Sequence, residues 1–198
     1  HPEYRRQRQM CIRDSWSIQE VTCSVRVLKD LQEKLRRGNW GITVLLYYKE
    51  NTVPEIVDIQ SGYSEIPAFG VAIDLGSTSI AATLCDLNSG KIVGSMGLMN
   101  PQIRSGEDVM SRVSYCMMEE KGLATLNYSV IQGINELTRK ISEKHGIKLD
   151  SVFEIVFFAN PIMHHLLLGI DPKELGQAPF PLVFSDSLTI KSKDIGII

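Results

Sequence analysis

The stretch that decides the fold is GVAIDLGSTS, residues 70–79, in which a buried-type strand reaches Asp74 and a Gly-Ser-Thr turn follows at once. A tight turn of this kind can direct the backbone N–H groups of Gly76, Ser77 and Thr78 towards phosphate oxygens. Asp74 would then face the accompanying Mg²⁺ through a bound water, because magnesium keeps most of its waters and needs few carboxylates. The alternative is an ordinary hairpin, in which glycine supplies the turn and a polar side chain caps it.

The residues around this stretch predict an α/β fold. Apolar and β-branched runs predict four strands, at residues 70–74, 79–87, 91–96 and 152–158. Apolar periodicity and helix-end signals predict three helices, at residues 106–119, 126–146 and 162–168. We expect the first three strands to pair antiparallel and the fourth to join the first in parallel, because a helical crossover suits a parallel connection.

Asn160 is the second candidate for the same site. It follows the fourth predicted strand and precedes Pro161, and binding sites in α/β proteins gather at strand ends. Two other nucleotide-binding signatures, GxxxxGK[ST] and GxGxxG, are absent from the sequence. The phosphate-loop hypothesis therefore depends on residues 74–78 and on the strand order around them.

The segment upstream predicts a separate small α+β unit. Apolar spacing predicts a helix over residues 25–37, and β-rich runs predict strands over 42–48 and 55–59. Residues 61–67 then form a polar connector. Residues 1–15 carry four arginines without apolar periodicity, so we expect them to be non-native or disordered and to pack against nothing.

Composition excludes several classes of function. A net charge of −2 and a pI near 6.1 argue against a broad surface for nucleic acid or anionic membrane. The longest uncharged stretch is too short to span a bilayer. The four cysteines show neither CxxC nor ferredoxin spacing, which excludes a zinc or iron-sulfur site made by this chain alone. They are interpreted as reduced cytosolic thiols: Cys11, Cys23, Cys85 and Cys116.

Several separated segments carry a family resemblance. VAIDLGSTS (71–79), followed by residues 82–113, resembles the first phosphate motif of the actin, sugar-kinase and heat-shock-chaperone ATPase superfamily. More narrowly, NPQIRSGEDVMSRV (100–113) and ANPIMHHLLLGIDP (159–172) resemble the ATP-dependent reductive activators of corrinoid proteins. NWGITVLLYY (39–48) before EIVDI (55–59) is similar to the middle domain of that family. The resemblance covers residues 25–198.

The resemblance implies a domain organisation and a site. It implies a middle domain plus connector over residues 16–67 and a ribonuclease-H-like, actin-like N-terminal lobe over 68–185, with 186–198 beginning a further element. It places Gly76, Ser77, Thr78 and Asn160 at the ATP phosphates and Asp74 at Mg²⁺, and it identifies no catalytic residue. The chain is then expected to be a fragment that lacks the 2Fe-2S ferredoxin domain and the second lobe of the family.

The implied function is support for reduction of inactive cob(II)alamin-type corrinoid proteins to the cob(I) state. The full-length protein would bind and hydrolyse ATP in the cytoplasm, whereas the fragment alone would be inactive. Its partner would be a corrinoid protein, either methyltransferase-associated or a corrinoid iron-sulfur protein, with no role for nucleic acid or membrane and with a homodimer left open. The alternatives are a small-molecule kinase or hydrolase of the same fold and a non-catalytic binding module.

Other polar residues have more ordinary interpretations. Asp108 and Arg112, four apart on a predicted helix, are expected to form an exposed ion pair. The loop that holds Asn100, Arg104 and Gly106 is a candidate for contact with a substrate or partner. His164 and His165 are adjacent and would point about 100° apart on a helix, so they cannot share a metal ion. We expect one of these histidines to be packed and the other exposed.

Overall fold

The computed structural model describes residues 18, 20–49, 52–184 and 186–198. These residues form two compact units that divide between Ile66 and Pro67. The expectations for residues 1–15, including Cys11, lie outside the described residues.

The first unit is one helix with a three-stranded sheet. Helix α1 (Val25–Arg37) begins after Ser24, whose hydroxyl caps it by accepting from Val27 N. The strands are β1 (Thr22–Cys23), β2 (Ile42–Tyr47) and β3 (Glu55–Ser61). The sheet order is β1-β3-β2, with β1 parallel and β2 antiparallel to β3. The predicted helix and the two longer strands are confirmed, whereas the short β1 was not predicted.

The second unit contains a four-stranded sheet in the order β6-β5-β4-β7. Its strands are β4 (Phe69–Leu75), β5 (Ser79–Asp86), β6 (Ile92–Met99) and β7 (Val152–Ala159). The antiparallel pairs β4·β5 and β5·β6 and the parallel pair β4·β7 confirm the predicted topology. The parallel register aligns Leu75 with Ala159, so both strands end at the same edge of the sheet.

Three helices belong to this unit: α2 (Val109–Met118), α3 (Gly122–Lys144) and α4 (Pro161–Leu168). Helix α2 begins later than predicted because the Asp108 side chain caps it, accepting from Ser111 N at 2.7 Å. Helix α3 begins earlier than predicted, at Gly122, where an added Cβ would lie 2.7 Å from the Tyr115 carbonyl oxygen. Short 3₁₀ turns lie at Pro101–Ser105, Leu149–Ser151, Lys173–Gly176 and Ser192–Ile195.

The core lies between one face of this sheet and the helices. Alternate residues of β4 and β5 are buried there, among them Ile73, Leu75 and Ile80, together with the apolar stripe of α3. On the opposite face Ala72 and Asp74 of β4 are exposed, as is Phe158 of β7. Asp74 therefore projects from the face that the helices do not cover.

Among the helices of the described residues, none combines the length and the apolar character that crossing a lipid bilayer requires.

Candidate phosphate-binding site

The predicted site residues meet at the carboxyl edge of the β4·β7 pair. Leu75 and Ala159 are register partners, so the loop that begins at Gly76 and the helix cap at Asn160 leave the sheet side by side. Asp74 lies one residue earlier, opposite Phe158 in register. The parallel connection thus brings together residues that are more than 80 positions apart in the sequence.

The three carbonyl oxygens of the loop at residues 76–78 all accept hydrogen bonds from other residues of the protein. Asn100 Nδ2 donates to Gly76 O at 2.8 Å, and the backbone N–H of Asn100 donates to Thr78 O at 2.9 Å. Arg112 Nη2 donates to Ser77 O. Within the described part of the chain, the N–H groups of Gly76, Ser77 and Thr78 have no hydrogen-bond acceptor. Such a loop presents backbone donors and suits an anion.

Gly76 is required by the close approach of the loop to itself. A Cβ added at this position would lie 2.6 Å from the backbone carbonyl oxygen of Ser79. Protein atoms do not approach a Cβ so closely, and the obstacle is backbone, which cannot rotate away as a side chain can. A side chain at position 76 would therefore force the loop to move.

Arg112 lies beneath the loop and is fully buried, with 0% exposure. Besides the bond to Ser77, its Nε donates to Gly106 O at 3.0 Å and its Nη1 to Gln102 Oε1 at 3.1 Å. The predicted exposed ion pair with Asp108 is therefore wrong. The first turn of α2 directs Arg112 inward, while the Asp108 carboxylate is committed to capping that helix. Hydrogen bonds from Ser111 to this carboxylate, first its backbone N–H, lower the pKa of Asp108.

Asn100 is the second residue that positions the loop, and it too is fully buried. Its Oδ1 accepts from Gln102 N at 3.0 Å, so its amide group and its backbone N–H are both engaged inside the protein. Gln102, also buried, extends the network by donating to Leu126 O at 3.0 Å. The expected contact of Asn100 with a substrate or partner is thus wrong, whereas Arg104 of the same loop is exposed.

The sequence contains a signal for this network in the polar residues that were expected to form an exposed ion pair and a contact loop. Asn100, Gln102 and Arg112 are polar residues within one short segment, NPQIRSGEDVMSR, that connects a strand to a helix. Neither spacing nor polarity shows which of them turn inward. Only the tertiary structure, in which α2 packs against α3 and the turn Pro101–Ser105, reveals that three of these polar side chains are buried.

Asp74, the carboxylate that the sequence predicted for Mg²⁺, lies at the end of β4 next to the loop. It is exposed at the end of β4, where solvent can complete the coordination of an ion. A single carboxylate with room for water fits Mg²⁺, which binds proteins through one or two carboxylates and keeps several waters. Elsewhere in the described residues, no three His, Cys, Asp or Glu side chains are grouped as a metal centre.

Asn160 is exposed and caps α4. Its Oδ1 accepts from Met163 N at 2.9 Å, so the carbonyl half of the side chain is committed to the helix. The Nδ2 amide is the part that can face a ligand. As a donor, Nδ2 has the polarity that a phosphate oxygen needs.

His164 and His165 lie on α4 beside Phe184. His165 is packed, as expected for one of the pair, with its Nδ1 2.7 Å from Pro161 O and its ring stacked on Phe184. His164 is half-buried instead of exposed and meets Phe184 edge-on, with centroids 4.9 Å apart. Burial, and secondarily the neighbouring His165, lower the pKa of His164.

Comparison with known proteins identifies two family models and a curated relative that match this chain. Residues 69–198 match a family model described as the RACo middle region, and residues 6–66 match one described as the RACo linker region. A curated relative from Eubacterium limosum, Corrinoid activation enzyme RamQ, is 32% identical over 140 residues, which make up 70% of this chain and 24% of RamQ. The small α+β unit, likened above to a middle domain, corresponds to the linker region of these models.

A solved structure described as a reductive activator for corrinoid, iron-sulfur protein has the same fold. It superimposes with a TM-score of 0.82 at 29% identity, over 94% of this chain and 29% of that chain. This match confirms the predicted α/β fold and the resemblance to corrinoid activators. The chain spans less than a third of the length of either relative.

Proposed function

The chain belongs to the RACo family, and we propose that it carries the first phosphate loop of an ATP-dependent reductive activator of corrinoid proteins. In this proposal, Gly76, Ser77 and Thr78 bind ATP phosphates through their N–H groups. Asp74 orients the water shell of the accompanying Mg²⁺, and Asn160 donates from the neighbouring strand end. The full-length protein would support reduction of a cob(II) corrinoid protein to the cob(I) state.

The observation that carries the proposal is the orientation of the loop. The three carbonyl groups of Gly76, Ser77 and Thr78 are bound by Asn100 and Arg112. The N–H groups of Ser77 and Thr78 belong to the same peptide units as the first two carbonyls and therefore point to the opposite side as donors. A simple hairpin turn needs no such arrangement. Donors held in place before a ligand arrives bind an anion without the cost of ordering the loop.

The residues of this chain would act by positioning and by electrostatics. ATP–Mg²⁺, when bound, would supply the free energy for a conformational change in the full-length protein. The loop N–H groups would hold the phosphate oxygens, and the Asp74 carboxylate would accept hydrogen bonds from the metal's water ligands. Neither the motif nor the hydrogen bonds of the loop identify a general base, so we assign no catalytic residue.

We place the 2Fe-2S cluster that delivers the electron outside this chain. Of the four cysteines, the three that are described are free thiols in separate elements: Cys23 in β1, Cys85 in β5 and Cys116 in α2. A 2Fe-2S cluster needs four protein ligands close together. Burial, the largest influence, raises the pKa of the Cys116 thiol, which makes it a poorer ligand and a poorer nucleophile.

The partner in this proposal is a corrinoid protein, and the cellular site is the cytoplasm. The names of the two relatives support the choice of partner, because one is a corrinoid activation enzyme and the other a reductive activator for corrinoid, iron-sulfur protein. Neither name decides which corrinoid protein this chain would serve, so methyltransferase-associated and iron-sulfur partners are both to be assayed. A homodimer is a further part of the proposal.

The experiment that tests the proposal uses the full-length protein. We would titrate ATP–Mg²⁺ calorimetrically, with and without chelation of the metal, and follow conversion of a cob(II) corrinoid protein to cob(I) by its absorption spectrum. Asp74→Ala should abolish ATP-dependent activation. Glu154→Ala is the matched control, because Glu154 is an exposed carboxylate at the other end of β7. Wild-type affinity and activation in Asp74→Ala would contradict the phosphate-loop assignment.

A further inference from the structure

The deepest charge in the second unit is the guanidinium group of Arg112. Its residue is fully buried, and no carboxylate forms an ion pair with it among the described residues. The carboxylate nearest in sequence, Asp108, caps α2 instead. Buried charges in proteins are normally paired or bound to a metal, because an unpaired ion loses its hydration without compensation.

Every hydrogen-bond partner of Arg112 among the described residues is neutral. The guanidinium donates to the carbonyl oxygens of Ser77 and Gly106, to Gln102 Oε1, and to the thioether sulfur of Met163 at 3.0 Å. These bonds engage four of its five N–H donors and leave its charge uncompensated. Burial, the larger influence, lowers the pKa of this guanidinium, while the charge of Asp108 acts in the opposite direction.

We propose that Arg112 is a positioning residue whose positive charge is balanced by the bound phosphate on the other side of the loop. The inference rests on the proposed function, because it takes the loop at residues 76–78 to be the phosphate site. Arg112 reaches that site through one peptide unit: it binds Ser77 O, and the N–H groups on the outer side of the loop face the ligand. The charge therefore polarises the same peptide dipoles that bind the anion.

The environment makes this charge effective. A guanidinium enclosed by Gln102, Met163 and the loop is screened less than an exposed one, so its attraction to an anion one peptide layer away is not lost to solvent. A lysine could keep the charge, but it lacks the planar fork that binds Ser77, Gly106 and Gln102 together. A glutamine keeps a hydrogen-bond donor and removes the charge. The two substitutions therefore separate charge from packing.

The test compares Arg112→Gln and Arg112→Lys in the full-length protein with Arg139→Gln as control. Arg139 is an exposed arginine on α3 that pairs with Glu143, so the same substitution there leaves the loop untouched. Calorimetric affinities are measured for ATP–Mg²⁺ and for adenosine, which has no phosphate. Circular dichroism and gel filtration establish that each variant is folded.

We expect Arg112→Gln to weaken ATP–Mg²⁺ binding by about tenfold or more, to leave adenosine affinity unchanged, and to be partly rescued in Arg112→Lys. The inference is overturned if Arg112→Gln binds ATP–Mg²⁺ as the control does. It is also overturned if Gln and Lys weaken binding equally, or if adenosine affinity falls in parallel, since both results indicate a purely structural role.

If Arg112→Gln does not fold, the ATP–Mg²⁺ affinity of Arg112→Lys tests the role of the charge by itself. A loss of less than about threefold in ATP–Mg²⁺ affinity supports the role of the charge, and a larger loss overturns it. Failure of the wild-type protein to bind ATP–Mg²⁺ would instead contradict the proposed function itself. The two failures are therefore distinguishable.

Discussion

Gly76→Ala is the perturbation that tests the loop geometry most directly. The new methyl group would lie 2.6 Å from Ser79 O, so the backbone at residues 76–79 must shift. The loop is not free to do so, because Asn100 binds Gly76 O and Thr78 O, at 2.8 Å and 2.9 Å, from a fully buried position. We expect the substitution to break the bond from Asn100 Nδ2 to Gly76 O.

The magnitude follows from what that break leaves behind. A buried donor without an acceptor costs about 1–3 kcal/mol, and the Nδ2 of Asn100 would be such a donor. A loop that stays shifted also misaligns its N–H groups, and a hydrogen bond lost to a charged phosphate costs a similar amount of binding free energy, about 1–3 kcal/mol. The expected weakening of ATP–Mg²⁺ binding is then about 5- to 150-fold.

The assay is calorimetric titration of ATP–Mg²⁺ into full-length wild-type and variant proteins, with amide hydrogen exchange reporting on residues 76–79. Gly97→Ala on β6 is the matched control, because its added Cβ would meet Ile80 O at 3.4 Å, an ordinary contact distance. Unchanged affinity in Gly76→Ala, with exchange at the loop as in the wild type, would refute the reasoning. Equal losses in both glycine variants would do so as well.

Three further outcomes are expected. Asp74→Ala should abolish ATP-dependent activation. Thr78→Ala should weaken ATP–Mg²⁺ binding by only about 1 kcal/mol in calorimetric titrations, because it removes one hydroxyl and keeps the backbone N–H. A larger loss in Thr78→Ala than in Asp74→Ala would contradict the assigned roles. Asn160→Ala should lower the free energy of unfolding by about 1 kcal/mol in denaturant titrations, because Asn160 Oδ1 caps α4 at Met163 N; Asn160→Asp, which keeps the cap, should not. Burial lowers the pKa of His164 in the folded protein, so the unfolded chain binds more protons at this residue. The free energy of unfolding should therefore fall as pH drops through the pKa of the unfolded chain, near 6.5. A His164→Gln variant with the same pH dependence of stability would contradict this.

The strand order could be predicted because it depends on local patterns. The apolar run that ends at Asp74, the turn signal at Asn88-Ser89-Gly90 and the apolar stripe of α3 are each readable in a short window. The parallel pairing of β7 with β4 followed from the helical crossover between them. Helix ends were less well predicted. Helix α2 begins only after Asp108, because the Asp108 side chain accepts from Ser111 N and caps the helix. Helix α3 already begins at Gly122, where the absence of a Cβ allows close contact with Tyr115 of α2.

By itself, the sequence determined the α/β class, the topology of the four-stranded sheet and the family to which the chain belongs, because periodicity, turn residues and motif spacing are local properties. It identified Asp74, Gly76, Ser77, Thr78 and Asn160 as candidates for one site. Only the tertiary structure decided which polar residues lie beneath that site. An arginine four residues from an aspartate has the same local pattern whether it faces solvent or the core. Packing of α2 against α3 and the turn Pro101–Ser105 buries Arg112, and the hydrogen bonds from Arg112 and Asn100 to the loop carbonyl oxygens set the direction of its peptide groups.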